Sequence, residues 1–167
     1  GGFSYGDYLR SGALAALSQA MEGVKKAATQ GKPVFGICNG FQILCEAGLL
    51  PAALMRNEKG QFIDQWVELK LENDSLWSPH KVGAWYRMPM AHADGRYFIN
   101  EESYKELQNN EQIWLTYRDN PNGSVGDIAG IMNKEKNVVV MMPHPDRALY
   151  SWMGSVDGLE FFKWNEH

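Results

Sequence analysis

Cysteine is scarce in this chain of 167 residues, which holds only Cys38 and Cys45. Two thiols so close together make no disulfide framework and do not match a metal-ligand spacing, so a reducing, cytoplasmic setting is expected. Long apolar runs are missing too. None approaches the ~20 residues that a membrane span needs, and no signal peptide is visible. Basic charge is in the minority: 16 Lys and Arg against 20 Asp and Glu give a net charge of −4 and a pI near 5.6. Nucleic acid and anionic membranes are therefore excluded as main partners. No repeat, low-complexity tract or linker divides the chain, and no P-loop or metal-ligand cluster is present. An initiating Met is also lacking, since the chain opens on Gly1-Gly2 in what reads as a loop leading to a helix. Residues upstream are expected.

What is present is enough apolar material for one domain spanning 1–167, with 44% hydrophobic and 12% aromatic residues. It is organised around residues 32–44, where an apolar run passes into a helix-like run through Gly36-Ile37-Cys38-Asn39-Gly40. That hinge reads as a nucleophile elbow with cysteine in place of serine. Flanking glycines permit the sharp turn, and the helix N-terminus favours the thiolate. The alternative is a buried structural cysteine in an ordinary strand-to-helix turn, which distant partners must decide.

Apolar residues at helical spacing (Leu14, Leu17, Met21, Val24, Ala28) predict an amphipathic helix over 7–29, ended by Gly31 and Pro33. The glycine-rich residues 1–6 ahead of it either offer backbone N–H groups to an anion or turn the chain. A short strand over 34–37, a helix over 40–47 and a polar surface turn over 56–64 follow. Cys45 falls on the apolar side of its helix and is read as core. Clean alternation predicts a half-buried strand over 66–71. Residues 86–92 contain Pro89 and make at best an edge strand, ending in Ala91-His92-Ala93-Asp94-Gly95. His92 is either a base or a satisfied structural histidine. A helix over 101–109, strands over 113–117, 128–132 and 138–142, and a closing helix over 156–165 with Leu159, Phe162 and Phe161 inward complete the reading.

The last strand runs into Pro143-His144-Pro145-Asp146-Arg147. Two prolines hold this backbone extended, so His144 and Asp146 project to one side. A carboxylate beside an imidazole fixes its tautomer and steadies its charged form, the orienter-and-base half of a nucleophilic triad.

Together, Gly36-Ile-Cys-Asn-Gly-Phe-Gln42, the opening stretch 1–10, the stretch 120–130 and Met141-Met-Pro-His-Pro-Asp-Arg147 resemble the glutaminase subunit of phosphoribosylformylglycinamidine synthase, among the class I glutamine amidotransferases. The resemblance runs from Gly1 almost to the C-terminus. It implies an α/β fold with a doubly wound, mostly parallel sheet. Family members begin with a strand, a helix and a second strand that are absent here, so the domain is expected to be N-terminally incomplete. The resemblance also implies a triad of Cys38, His144 and Asp146, with Asp146 standing where the family usually has Glu. Gly2 and Asn39 are implied as oxyanion donors. Gln42, Asn122, Gly123 and Ser124 are implied around bound glutamine. Where the family reads His-Gly-Glu-Gly this chain has His92-Ala-Asp-Gly95, and no catalytic role is carried there.

The implied function is hydrolysis of glutamine to glutamate and ammonia through a cysteine thioester. Ammonia would pass to a synthetase subunit that holds ATP and magnesium and makes formylglycinamidine ribonucleotide, the two bridged by a small third subunit. No cofactor is expected in this chain. Two other readings stand beside it: a cysteine-elbow stress or chaperone protein, and a non-catalytic domain that only binds the synthetase. The first would not predict the His144 and Asp146 pair.

Overall fold

The computed structural model describes residues 15–51, 53–78 and 81–163. Along them run α1 (Gln19–Thr29), β1 (Val34–Ile37), α2 (Asn39–Glu46), β2 (Ala53–Met55), β3 (Ile63–Leu71), β4 (Trp85–His92), β5 (Arg96–Phe98), α3 (Glu101–Asn109), β6 (Ile113–Tyr117), β7 (Ile128–Met132) and β8 (Val138–Met141). Helix α1 starts later than its apolar spacing predicts, because Ser18 leaves helical geometry (φ −72°, ψ 152°) and serves as its N-cap. Leu17 is consequently 86% exposed, while Met21, Val24 and Ala28 pack on the core as expected. Leu14 lies outside the described residues. Helix α2 closes in a Schellman turn, with Gly48 N–H on the Cys45 carbonyl and Leu49 N–H on that of Leu44.

Six strands form one sheet in the order β1-β8-β7-β6-β3-β4, and β2 pairs with β5 in a small second sheet. The α/β class holds, and the larger sheet is mixed. Among the described residues its parallel pairing is confined to β1 and β8, with Ile37 opposite Met141. The other four pairings are antiparallel. Connection length explains one of them: the short loop over 133–137 makes β7 and β8 a hairpin, and a loop that short cannot cross over to a parallel neighbour.

Strand β8 shows how the core is divided. Val138 and Val140 face a cluster with Met21, Phe41, Leu44 and Leu107, which the helices cover. Val139 and Met141 face a second cluster with Val67, Leu69, Met88, Met90, Trp114 and Phe161. Phe161 arrives on a 3-10 turn over Asp157–Phe162 rather than the expected closing helix. Its ring stands edge-on to Tyr86 and Trp114. Leu159 and Phe162, expected inward, are instead 40% and 39% exposed. Gly158 sets this register: a Cβ there would lie 2.0 Å from the Pro145 carbonyl oxygen, so the turn is pinned against the segment after β8.

Strand β4 is the edge that Pro89 predicts. Its residues 88, 90 and 92 turn their backbone groups toward β3, whereas Arg87, Pro89, Ala91 and Ala93 turn theirs outward. Proline is tolerated at 89 because its missing N–H would point away from the ladder. The outward groups are bound by other parts of the chain. Arg87 N–H donates to Asp157 Oδ2 at 2.7 Å, and His144 N–H donates to Pro89 O at 2.8 Å. Cys38 Sγ lies 3.8 Å from Ala91 O, and Asn57 N–H donates to Ala93 O at 2.8 Å. The sheet thus curls until its far edge meets the loops leaving β1 and β8.

Phe161→Ala should cost about 3–5 kcal/mol, as deletion of a fully buried aromatic does, and Leu159→Ala less than about 1 kcal/mol. Urea denaturation midpoints at unchanged slope check this; equal losses would place Leu159 in the core after all.

Candidate active site

The site is built by the one parallel pairing. Because β1 and β8 run side by side in the same direction, Cys38 and His144 both emerge at their C-terminal ends. Cys38 N–H continues the ladder onto the Met141 carbonyl at 2.8 Å. Its backbone then turns sharply: Cys38 has φ 50° and ψ −104°, a conformation that costs a residue with a side chain about 1–3 kcal/mol. Close packing holds it there. A Cβ on Gly36 would meet the Gly40 carbonyl carbon and oxygen at 2.9 Å, so only glycine lets the strand lie against the first turn of α2. Asn39 and Gly40, the first residues of α2 directly after Cys38, have N–H groups with no acceptor inside the helix. Cys38 is buried, with its sulfur against the Ala91 carbonyl.

His144 is buried and its Nδ1 faces Asp146 Oδ1 at 3.3 Å. An ionised carboxylate only accepts, so Nδ1 carries the proton and Nε2 is left as the working nitrogen. Nε2 is buried with no hydrogen-bond partner among the described residues. The bond to Asp146 is long, as the shorter side chain predicts, and the carboxylate is half exposed. It is nevertheless held below its ordinary range, chiefly by the hydrogen bond from His144, with burial opposing.

The other residues expected in the site divide. Gln42 is buried beside the elbow with both ends of its amide engaged: Oε1 accepts from Asn39 Nδ2 at 2.8 Å, and Nε2 donates to the Asp94 carbonyl at 2.7 Å. Asn122 Nδ2 donates to Gly95 O, and its Oδ1 accepts from Ser124. Ser124 Oγ in turn accepts from Tyr97 N–H, and Gly123 O accepts from Arg96 Nε. These three residues thereby fix Gly95 and the start of β5, through the Gly95 carbonyl, the Arg96 side chain and the Tyr97 N–H. Gly2 lies outside the described residues.

Cys45, expected in the core, sits at the margin of the helix-side cluster and stays partly exposed at its surface. Burial of its sulfur pushes the thiol far above the ordinary cysteine range, so it is no rival nucleophile at neutral pH.

Residues without a motif also reach the site. His92 is fully buried at the end of β4, and its Nδ1 lies 3.0 Å from Asn57 Oδ1. Asn57 Nδ2 donates to the carbonyls of His92 and Gln61, which leaves Oδ1 as an acceptor and puts the His92 proton on Nδ1. Burial first, and then the like charge of His144, push His92 down to about 4 from its ordinary 6.5. Tyr117, whose hydroxyl donates to Met90 Sδ, is raised first by burial and then by Cys38. Neither Asn57, in a polar surface turn, nor Tyr117, on an apolar strand, carries a sequence signal for the site.

A family model described as a CobB/CobQ-like glutamine amidotransferase domain matches residues 1–163. Among solved structures, PurLQS from Thermotoga maritima is similar at 43% identity and a TM-score of 0.88, covering 98% of this chain and 74% of that one. A glutamine amidotransferase from Thermotoga maritima shares the fold at 16% identity and a TM-score of 0.51, over 77% of this chain and 47% of that one. A GMP synthase component from Thermoplasma acidophilum does so at 12% identity and 0.52, over 86% and 64%.

The depressed His92 makes a prediction about acid. On acidification the unfolded chain takes up its proton first, so stability is full above about pH 6.5 and drains away toward about pH 4. At 1.36 kcal/mol per unit the loss is on the order of 3 kcal/mol. Asp146, depressed in the folded state, adds its own loss only at lower pH, as the carboxylate itself protonates. Urea denaturation at pH 7 and 4.5 should show the difference, and His92→Gln should shrink it.

Proposed function

The chain belongs to the CobB/CobQ-like glutamine amidotransferase family, and on that premise we propose that it is the glutaminase subunit of a phosphoribosylformylglycinamidine synthase. The carrying observation is that Cys38 and His144, the latter oriented by Asp146, are both buried and both lie just past the C-terminal ends of two adjacent parallel strands. Likeness to PurLQS over nearly the whole chain supports this member of the family over others.

In the proposed reaction Cys38 gives its proton to His144 Nε2 and attacks the side-chain carboxamide of glutamine. The oxyanion is met by the Asn39 N–H, with Gly2 as the second expected donor, and loss of one such donor costs about 3–4 kcal/mol of barrier. His144 then passes its proton to the departing nitrogen, the C–N bond breaks, and ammonia leaves a γ-glutamyl thioester on Cys38. Water activated by His144 cleaves the thioester, giving glutamate and restoring the thiol. Asp146 is a positioning residue that keeps the proton on Nδ1.

Ammonia is a nucleophile only while unprotonated, so its use implies transfer to a docked synthetase without release to bulk water. That partner would hold ATP and magnesium and amidate formylglycinamide ribonucleotide, with a small third protein bridging the two. A free-running glutaminase would waste glutamine. Docking should therefore raise kcat more than it changes KM.

Cys38→Ala should abolish glutamine hydrolysis and glutamine-dependent synthesis by the complex, while synthesis from added ammonia survives. Turnover of glutamine by this variant would remove Cys38 as the nucleophile. Asp146→Asn should lower kcat by at least about tenfold with little change in KM, and Asp146→Glu should be tolerated. An unchanged kcat in Asp146→Asn would take the carboxylate out of the triad.

A further inference from the structure

His92 has no part in the chemistry just described, yet its environment is as defined as that of His144. Its side chain lies on the inner face of β4 in the row of Met88 and Met90, and all three are fully buried. The next residue back, Ala91, turns its carbonyl to the Cys38 sulfur. The ring is seated on glycine: a Cβ on Gly95 would lie 2.5 Å from His92 Cε1 and Nδ1. Asn57 fixes the tautomer by accepting the Nδ1 proton while both its own N–H groups are taken. The second ring nitrogen, Nε2, is therefore a bare lone pair. Among the described residues it is buried without a hydrogen-bond partner, as is His144 Nε2, and the two imidazoles lie within electrostatic reach of each other.

A buried acceptor without a donor is costly, on the order of 1–3 kcal/mol, and natural proteins keep few of them. A purely structural histidine would be better replaced here by an apolar ring. One residue along β4 from the carbonyl that faces Cys38, the lone pair has an obvious complement if that cysteine attacks carboxamides. The carboxamide nitrogen of glutamine carries two N–H donors, whereas the carboxylate of the product carries none.

We propose that His92 is a specificity-determining residue whose Nε2 accepts an N–H of the substrate carboxamide, favouring glutamine over glutamate and helping to expel the product carboxylate. This rests on the glutaminase reading above. A site built to accept a hydrogen bond leaves its acceptor unpaired, facing another lone pair, when the ligand lacks the donor. Asn57 then acts as a positioning residue, because it keeps Nε2 an acceptor.

The test compares ligands and variants in the natural protein with its synthetase present. In the parent, glutamate γ-methyl ester, which keeps the carbonyl and lacks the N–H groups, should bind at least about tenfold more weakly than glutamine. Binding equal to glutamine overturns the proposal without any variant. His92→Asn retains a donor for Asn57 and loses the lone pair, so the gap between glutamine and both the ester and glutamate should close about tenfold, chiefly through KM and the glutamate inhibition constant. His92→Gln can present an oxygen near the former Nε2 and should restore most of the gap. An Asn variant that discriminates like the parent overturns the proposal. Iodoacetamide labelling of Cys38 at the parental rate shows that the nucleophile itself is intact in each variant. A parent that does not hydrolyse glutamine would instead overturn the glutaminase reading, so the two failures are distinguishable.

Discussion

The outer edge of β4 is the constraint on which the site depends. An edge strand leaves alternate backbone groups without a ladder partner, and a buried group of that kind must find one elsewhere. Here the partners include the residues of the proposed site. Pro89 O holds the backbone of His144, and Ala91 O faces the Cys38 sulfur. Two residues of extended chain span about 7 Å, so the proposed base and nucleophile are spaced by the pleat of one strand. The same edge takes Asp157 at Arg87 and Asn57 at Ala93, which ties in the C-terminal turn and the loop that orients His92. β1 and β8 lead into Cys38 and His144, and β4, at the other end of the sheet order, closes on them.

This arrangement explains which parts of the site are legible in the chain. Cys38 is legible because an elbow needs glycine at close approach, and Gly36 leaves that mark in the sequence. His144 and Asp146 are legible because prolines on either side hold them at a strand end. The ladder at β4 is only half legible: Pro89 marks an edge, but nothing in the sequence says what the edge meets. Asn57 cannot be read at all, since a buried asparagine and an exposed one look alike in a polar turn. Strand direction in the sheet is hidden for a related reason. The hairpin between β7 and β8 shows in its loop, yet the place of β3 and β4 in the same sheet arises from contacts distant in sequence. At the C-terminus the apolar residues suggest a helix with Leu159, Phe162 and Phe161 inward, whereas the approach of Gly158 to Pro145 leaves only Phe161 of the three buried.

The two buried histidines are held by different partners. His144 has an ionised carboxylate at Nδ1, which suits a nitrogen that must gain and lose a proton. His92 has a neutral amide there, which suits one that stays uncharged. The partner on the far ring nitrogen, rather than the residue type, sets the role. Burial, and then the like charge of His144, reinforce this for His92 by disfavouring its protonated form.

The central claim is that Cys38 forms a covalent intermediate with glutamine. Acid-quenching the complex during steady-state turnover and mapping the peptides by mass spectrometry tests it directly. The account predicts one added γ-glutamyl group, confined to the peptide segment containing Cys38 and absent from Cys45. Rapid glutamate production with no adduct on Cys38, or an adduct on Cys45, would contradict it.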